Sequence, residues 1–168
     1  YSKIWFNKSG DPVPTLSEIP HGWNDLVTTI SRVISEYPDI DIFLSISGGE
    51  GFVQADLDKL VEWCIEMGYC NRLSIRFNTN GTVFKEEQIT KLAELFKSVE
   101  FLFSIDSIYE NYHYVRWPAK WEKLESNLNS YIQLKEKYPK IKFILTPVFG
   151  INNIFYLPEW VEYFGKFS

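Results

Sequence analysis

The stretch IFLSISGGE, residues 42–50, decides the fold. Its first six positions form a short apolar run broken only by serine, and two glycines follow at once. Such a run, bounded by a turn signal, predicts a buried β-strand over 42–47. Before it, apolar residues recur at helical spacing from Leu26 to Tyr37, and Pro38 ends the pattern. The basic unit of the chain is therefore a helix followed by a strand.

The same unit recurs along the rest of the chain. The predicted strands are 42–47, 73–78, 101–106 and 141–148, and the helical stripes are 26–37, 57–65, 89–99, 121–132 and 157–164. A longer insertion, 107–120, follows the third strand. Alternating helices and apolar strands favour one parallel sheet with right-handed crossovers. We therefore predict an irregular segment over 1–20 and a single α/β domain over 21–168. Four parallel strands are too few to form a closed barrel by themselves, so either the sheet is open or the chain lacks further strands of a barrel.

The composition excludes several classes of protein. The 168 residues carry a net charge of −5, whereas a broad nucleic-acid surface requires clustered lysine and arginine. No apolar run approaches the roughly 20 residues of a membrane span, and we expect no signal peptide. Two cysteines provide no disulfide framework. We expect a cytoplasmic protein without nucleic-acid or membrane partners. Because the chain begins with Tyr1, we also expect further sequence upstream.

The ends of the predicted strands are polar, although the strands themselves are apolar. The four ends are SGGE at 47–50, NTNGT at 78–82, SIDS at 104–107, and the segment from Thr146 to Asn153. Ligands of parallel α/β sheets bind beyond the carboxyl ends of the strands. Gly-Gly and Asn-Gly are also common turn sequences, so each group alone is weak evidence. Together the four ends predict one binding edge.

The order of these elements resembles the radical S-adenosylmethionine (SAM) superfamily. The resemblance rests on GGE at 48–50, NTNGT at 78–82, SID at 104–106, YVR at 114–116 and Trp121, each in the family's order and spacing. The chain is most similar to the branch with a C-terminal twitch or SPASM extension. The resemblance implies that the fold is part of a (β/α)6 barrel. Its cluster-binding loop, its first strand and its last strand would lie outside this chain.

The resemblance also implies which side chains bind SAM or substrate. The residues so assigned are Gly48, Gly49, Glu50, Asn78, Asn80, Ser104, Asp106, Arg116 and Asn152. In the family, the Gly-Gly-Glu element holds the amino group of SAM, and Ser104 and Asp106 match positions that contact the ribose. Arg116 matches a family arginine that pairs with the methionine carboxylate, a bidentate contact that lysine does not reproduce. The alternatives are a solvated loop acid for Glu50, a surface ion pair for Arg116 and a turn for Asn80. Where the family usually has proline after the glutamate, this chain has glycine at position 51.

The cysteines depart from the family pattern. The family signature CxxxCxxC supplies three thiolates to a [4Fe–4S] cluster, whereas this chain has only Cys64 and Cys70. Cys64 lies on an apolar helical stripe and is predicted to be core, and Cys70 lies between a helix and a strand on the opposite rim. His21 and His113 suggest no metal-binding spacing and have ordinary roles. We therefore expect no metal ligand in this chain and a cluster only in the complete parent protein.

The resemblance implies a parent enzyme that cleaves SAM reductively at its cluster and generates a 5′-deoxyadenosyl radical. Its partners would be SAM, an electron donor, and a peptide, nucleoside or small-molecule substrate. The chain by itself would be inactive, and no catalytic side chain is assigned. The alternative is a cluster-less barrel that serves as a binding or interaction module. A phosphate-binding barrel enzyme is less favoured because no Walker-type loop is present.

Overall fold

The computed structural model describes residues 22–47 and 56–166, and these form an α/β domain with four strands and six helices. The predicted irregular segment 1–20 lies outside the described residues. The strands are β1 (Ile42–Ile46), β2 (Leu73–Thr79), β3 (Ser98–Phe103) and β4 (Ile141–Leu145). The helices are α1 (Gly22–Glu36), α2 (Asp56–Glu66), α3 (Glu86–Leu95), α4 (Tyr109–Val115), α5 (Trp121–Lys137) and α6 (Leu157–Gly165).

The four strands form one sheet in the order β1-β2-β3-β4, and every neighbouring pair is parallel. This confirms the predicted all-parallel sheet. The register places Ile46 beside Phe77, Phe77 beside Phe101, and Phe101 beside Phe143. One row of apolar side chains therefore crosses the whole sheet.

The hydrophobic core lies between the helices and one face of the sheet, called here the helix-covered face. Its strand residues are Ile42, Leu44, Ile46, Leu73, Ile75, Phe77, Val99, Phe101, Phe103, Ile141, Phe143 and Leu145. Phe101 is fully buried and lies 5.7 Å from Phe77, 5.1 Å from Tyr131 of α5 and 6.1 Å from Phe143, measured between ring centroids. The high aromatic content of the chain thus fills this layer, where rings bury large apolar areas.

The opposite side of the sheet, called here the second face, has a different composition. It carries Phe43, Ser45, Ser74, Arg76, Asn78, Ser98, Glu100, Leu102, Lys142 and Ile144, and none of them belongs to the core cluster of the described residues. Phe43 is 45% exposed and Ile144 is 41% exposed. The apolar strand runs predicted buried strands, and burial on both faces holds for much of β2 and β3 but not for the edge strands β1 and β4.

Several bounds differ from the sequence prediction: β4 ends at Leu145 and not at 148, and Val99, predicted to lie on a helical stripe, is in β3. β3 begins at Ser98 and ends at Phe103, whereas the predicted strand was 101–106. Glu100 interrupts the apolar run, but it lies inside the strand because Arg76 of β2 pairs with it, and the Ser98 hydroxyl donates to that of Ser74 at 2.8 Å. The insertion 107–120 contains α4, which the sequence did not predict. The prediction failed there because a seven-residue helix shows too few apolar repeats for its period to be recognised.

Candidate functional site

Backbone hydrogen bonds continue past the ends of β2, β3 and β4 and hold their carboxyl edge together. The amide of Ser104 donates to the carbonyl of Thr79 at 2.9 Å, and the amide of Thr146 donates to the carbonyl of Phe103 at 2.9 Å. Ser104 and Thr146 therefore lie side by side, with their hydroxyl oxygens 3.5 Å apart. These hydroxyls provide hydrogen-bonding groups at the edge where parallel sheets bind ligands.

Asp106 lies just beyond β3 and is 8% exposed. Its Oδ1 accepts a hydrogen bond from the amide of Val148 at 2.8 Å, and its Oδ2 forms an ion pair with Nη2 of Arg116. Both carboxylate oxygens thus have partners, as a buried charge requires. The carboxylate links the loop after β3 to the loop after β4 and to the end of α4.

Arg116 is positioned by α4. Tyr112 of this helix is buried and lies edge-on to Trp121 of α5, with ring centroids 5.7 Å apart. The amide of Arg116 donates to the carbonyl of Tyr112 at 2.9 Å, and its Nη2 donates to the carbonyl of Ser104 at 3.1 Å as well as pairing with Asp106. Its Nε is buried and has no hydrogen-bond partner among the described residues. One donor of the guanidinium thus remains unsatisfied within the site.

Asn153 belongs to the site, although the residue predicted as a ligand was its neighbour Asn152. The Asn153 side chain is 4% exposed, and its Nδ2 donates to the carbonyl of Asp106 at 2.8 Å and to that of Val148 at 2.9 Å. Its Oδ1 accepts from the amide of Gly150 at 2.6 Å. Asn152 is exposed, and none of the described hydrogen bonds includes its side chain. Two adjacent asparagines in a loop give no signal for which one faces inward.

The residues predicted at the end of β2 do not join this cluster in the structure. Asn78 lies half-buried on the second face, and the Oδ1 of Asn80 accepts from the amide and hydroxyl of Thr82 at 2.9 and 2.6 Å. This is the turn role that the sequence left open for Asn80. Gly81 has a φ of +75°, and a Cβ at that position would lie 2.6 Å from Cδ1 of Leu124. The turn therefore requires glycine at this position.

The structure thus brings three of the predicted ligands into contact and leaves others apart. Ser104, Asp106 and Arg116 form one cluster. Gly48, Gly49 and Glu50 lie outside the described residues, so their assigned roles remain predictions.

A second charged cluster, called here the charged row, lies in the middle of the second face. It consists of Arg76 of β2, Glu100 of β3 and Lys142 of β4, which are neighbours in register. Nε and Nη2 of Arg76 both donate to Oε2 of Glu100, at 2.9 and 2.6 Å, and Nζ of Lys142 lies 3.7 Å from Oε1. The sequence did not predict this row. The available signal was a charge inside each of two predicted strands, Arg76 in 73–78 and Lys142 in 141–148, since a charge in a buried strand requires an opposite partner.

Neither cysteine contributes to the carboxyl edge. Cys64 is fully buried in the core, which confirms its predicted place, and burial raises the pKa of its thiol to about 12. Cys70 precedes β2 at the opposite end of the sheet, and burial raises the pKa of its thiol as well. Within 22–47 and 56–166, no group of three or more histidine, cysteine or acidic residues is arranged to hold a metal ion.

A cavity of about 730 Å³ lies between α5, β4 and α6. Its walls include Tyr131, Phe143, Leu145 and Phe164, which belong to the helix-covered side of the sheet. None of the predicted ligands lines this cavity. It is therefore separate from the cluster at the carboxyl edge.

No helix in the described parts of the chain is long and apolar enough to cross a membrane. Comparisons with known protein families, with curated proteins and with solved structures found no match. The function is therefore argued from the residues of the site and from the sheet that positions them.

Proposed function

We propose that this chain is the SAM-binding part of a radical SAM enzyme and that its four strands are part of a (β/α)6 barrel. The observation that carries the proposal is the cluster of Ser104, Asp106 and Arg116 at the carboxyl edge of a parallel sheet. SAM presents a ribose diol and an α-carboxylate, and this cluster offers hydroxyl and carboxylate acceptors beside a guanidinium. We also propose a cytoplasmic location for the parent protein.

The two faces of the sheet support a barrel wall. An open doubly wound sheet carries helices on both faces, whereas in a barrel the helices form an outer ring and the inner face lines the interior. Here the core cluster includes strand residues from one face alone, and the second face carries serine, arginine, asparagine, glutamate and lysine. A polar inner face is expected where a barrel holds a polar cofactor and substrate instead of packing a dry core.

Arg116 is suited to a carboxylate ligand. Both described acceptors of its side chain, Asp106 and the carbonyl of Ser104, are bound by Nη2, and the buried Nε has no described acceptor. A ligand carboxylate would give that donor a charge-assisted hydrogen bond. Asp106 would at the same time keep the guanidinium oriented toward the edge.

The residues of this chain do not fit a [4Fe–4S] cluster. Cys64 and Cys70 are its only cysteines, and both are buried away from the carboxyl edge. The parent protein would therefore supply the three cluster ligands from sequence outside this chain. The bound cluster and SAM would together supply the 5′-deoxyadenosyl radical, and the residues described here would bind and orient SAM. Reconstitution of this chain with iron and sulfide should yield no stoichiometric cluster in absorbance and iron assays.

The proposal is tested by SAM binding to the full-length parent protein, measured by calorimetry. Arg116→Ala should weaken binding by about 1.5–3 kcal/mol, or roughly 10- to 150-fold, because a charge-assisted hydrogen bond is lost. Arg116→Lys should weaken it less, since the charge remains while the planar fork is lost. Arg32→Ala, at an exposed position of α1, is the matched control and should leave binding unchanged. Equal affinities for wild type and Arg116→Ala would refute the role of Arg116.

A second candidate function is a cluster-less barrel that serves as a binding module. The mutual pairing of Asp106 and Arg116 favours it, because the two side chains already satisfy each other in the absence of a ligand. The coding sequence upstream of Tyr1 separates the two functions. Three cysteines at CxxxCxxC spacing would support the enzyme, and their absence would support the module.

A further inference from the structure

The second face changes in character along the strands. Next to the charged row, one step toward the carboxyl edge, lies a row of Asn78, Leu102 and Ile144, which are aligned by the strand register. Beyond that row, Ser104 and Thr146 stand at the edge itself. From the middle of the sheet to its edge, the face is therefore charged, then largely apolar, then hydroxylated.

The charged row carries one positive charge in excess. Glu100 is 4% exposed and has both oxygens opposite cations, with Arg76 on Oε2 and Lys142 near Oε1. Two cations around one carboxylate leave a net charge of +1 on the row. The 3.7 Å separation of Lys142 from Glu100 exceeds hydrogen-bond length, so its ammonium makes no hydrogen bond to that carboxylate.

Donors of the charged row remain available at the surface. Arg76 directs only Nε and Nη2 at Glu100, and its side chain is 34% exposed. The side chain of Lys142 is 59% exposed. Phe43 lies beside the row, with the guanidinium carbon of Arg76 5.2 Å from its ring centroid, so the guanidinium is held in place by an aromatic ring as well as by Glu100.

We propose that the second face binds a small organic carboxylate, with the carboxylate on Arg76 and Lys142 and its apolar body on Leu102 and Ile144. A carboxylate carries one negative charge, which matches the excess of the row, whereas a phosphate group carries more at neutral pH. Ile144 is 41% exposed, so an apolar body placed there removes water from an accessible surface. The far end of such a molecule would reach the Ser104 edge.

The assignment of this molecule as substrate rests on the proposed function, whereas its binding does not. Under the proposed function, SAM lies at the carboxyl edge, and the ligand described here would be held below it by its carboxylate. The part of the molecule farthest from its carboxylate would then face SAM. The substrate class would be carboxylic acids with an apolar or aromatic body.

The test is a titration of the ¹⁵N-labelled chain with phenylacetate, without SAM, followed by two-dimensional NMR. Phenylacetate should cause saturable shifts at the Nε–H of Arg76 and at the amides of Lys142 and Ile144. Acetate should bind more weakly because it lacks the apolar body. Benzylamine, which has a similar body and a positive charge, should cause no shift at these positions.

Variants separate this site from other cationic surfaces. Lys142→Met should weaken phenylacetate binding by about tenfold, since one charged contact is lost. Lys135→Met is the matched control, because Lys135 lies over Phe143 on the helix-covered side, and it should leave binding unchanged. Arg76→Lys keeps a charge opposite Glu100 and should also weaken binding, so the test does not depend on one variant.

Three results would overturn the inference. They are unchanged binding in Lys142→Met, equal binding of inorganic phosphate and phenylacetate, or shifts confined to the cavity between α5 and α6. A SAM titration of the same variants distinguishes this inference from the proposed function, because Lys142→Met should not change SAM affinity. If phenylacetate binds but the parent protein does not bind SAM, the carboxylate site stands and its assignment to a substrate of this chemistry fails.

Discussion

On the helix-covered face β2 and β3 present leucine, isoleucine, valine and phenylalanine with almost no exposure, whereas on the second face the same strands present serine, arginine, asparagine and glutamate. Burial of apolar surface contributes about 25 cal/mol per Å², so the first face supplies most of the stability of the sheet. The second face requires Glu100 to be buried with its charge, and such pairs add little net stability. The contrast indicates that one face supplies the packed core, whereas the other is the face that we propose for binding.

The different contributions of the two faces to stability can be tested by truncating neighbouring side chains of β3 that lie on opposite faces. Phe101→Ala should lower the free energy of unfolding by about 3–5 kcal/mol, because it removes a ring from the centre of the packed layer. Leu102→Ala, on the second face and only partly buried, should lower it by about 1 kcal/mol. Urea unfolding followed by circular dichroism measures both. Similar losses for the two variants would mean that both faces are packed cores.

The charged row should be sensitive to the loss of one partner but tolerant of the loss of both. Arg76→Ala leaves Glu100 buried with only Lys142 nearby, so the free energy of unfolding should fall by about 2–3 kcal/mol. The double variant Arg76→Ala/Glu100→Gln removes the buried charge and should recover at least about 1 kcal/mol. Urea unfolding of the two single variants and the double variant completes the cycle. Strictly additive losses would show that the pair is not energetically coupled.

At the carboxyl edge, where the second face ends, two adjacent asparagines provide a matched pair. Asn153→Ala removes three hydrogen bonds, one that joins the loops after β3 and β4 and two within the loop after β4. The free energy of unfolding should therefore fall by about 1–3 kcal/mol. Asn152→Ala should change it by less than about 0.5 kcal/mol, since that side chain is exposed. Thermal unfolding provides the measurement. A larger effect at Asn152 would contradict the described loop.

An effect confined to alkaline pH concerns the thiol of Cys64, which reports how well the helix-covered layer excludes water. Its pKa is raised by burial from 9.0 to about 12, so the unfolded chain loses this proton at lower pH than the folded chain does. The stability that the neutral thiol contributes is therefore present below pH 9 and is lost as pH rises from 9 toward 12. Wild type should lose stability with pH more steeply than Cys64→Ala, by about 1 kcal/mol per pH unit. If the free energy of unfolding depends on pH in the same way for wild type and Cys64→Ala, water reaches the thiol.

The sequence predicted the elements whose pattern repeats along the chain. Apolar stripes at helical spacing placed Leu57, Leu60 and Val61 in the core, and the structure confirms all three as buried. The order of helices and strands also predicted the parallel sheet correctly. The third strand was misplaced by three residues because Glu100 reads as a polar interruption until its partner Arg76 is known.

The candidate site was less accessible to sequence reasoning. The family resemblance predicted that Arg116 turns toward Ser104, and the structure shows this contact. The pairing of Arg116 with Asp106 was not predicted, since it depends on a helix, α4, that the sequence did not reveal. Asn153 was passed over because a loop sequence does not show which of two asparagines turns inward. The charged row was missed because its members lie in three different strands.

The sequence by itself therefore determined the alternation of helix and strand, the residues of the apolar layer and the polar strand ends. Each of these follows from the spacing of residues that are close together in the sequence. Only the tertiary structure decided the partners: Arg76 with Glu100, 24 residues away, and Asp106 with the Val148 amide, 42 residues away. Such pairs depend on strand register and on the path of the loops, which arise from packing of the whole domain. A charged residue in the sequence shows that a partner is required, but only the folded sheet selects which residue provides it.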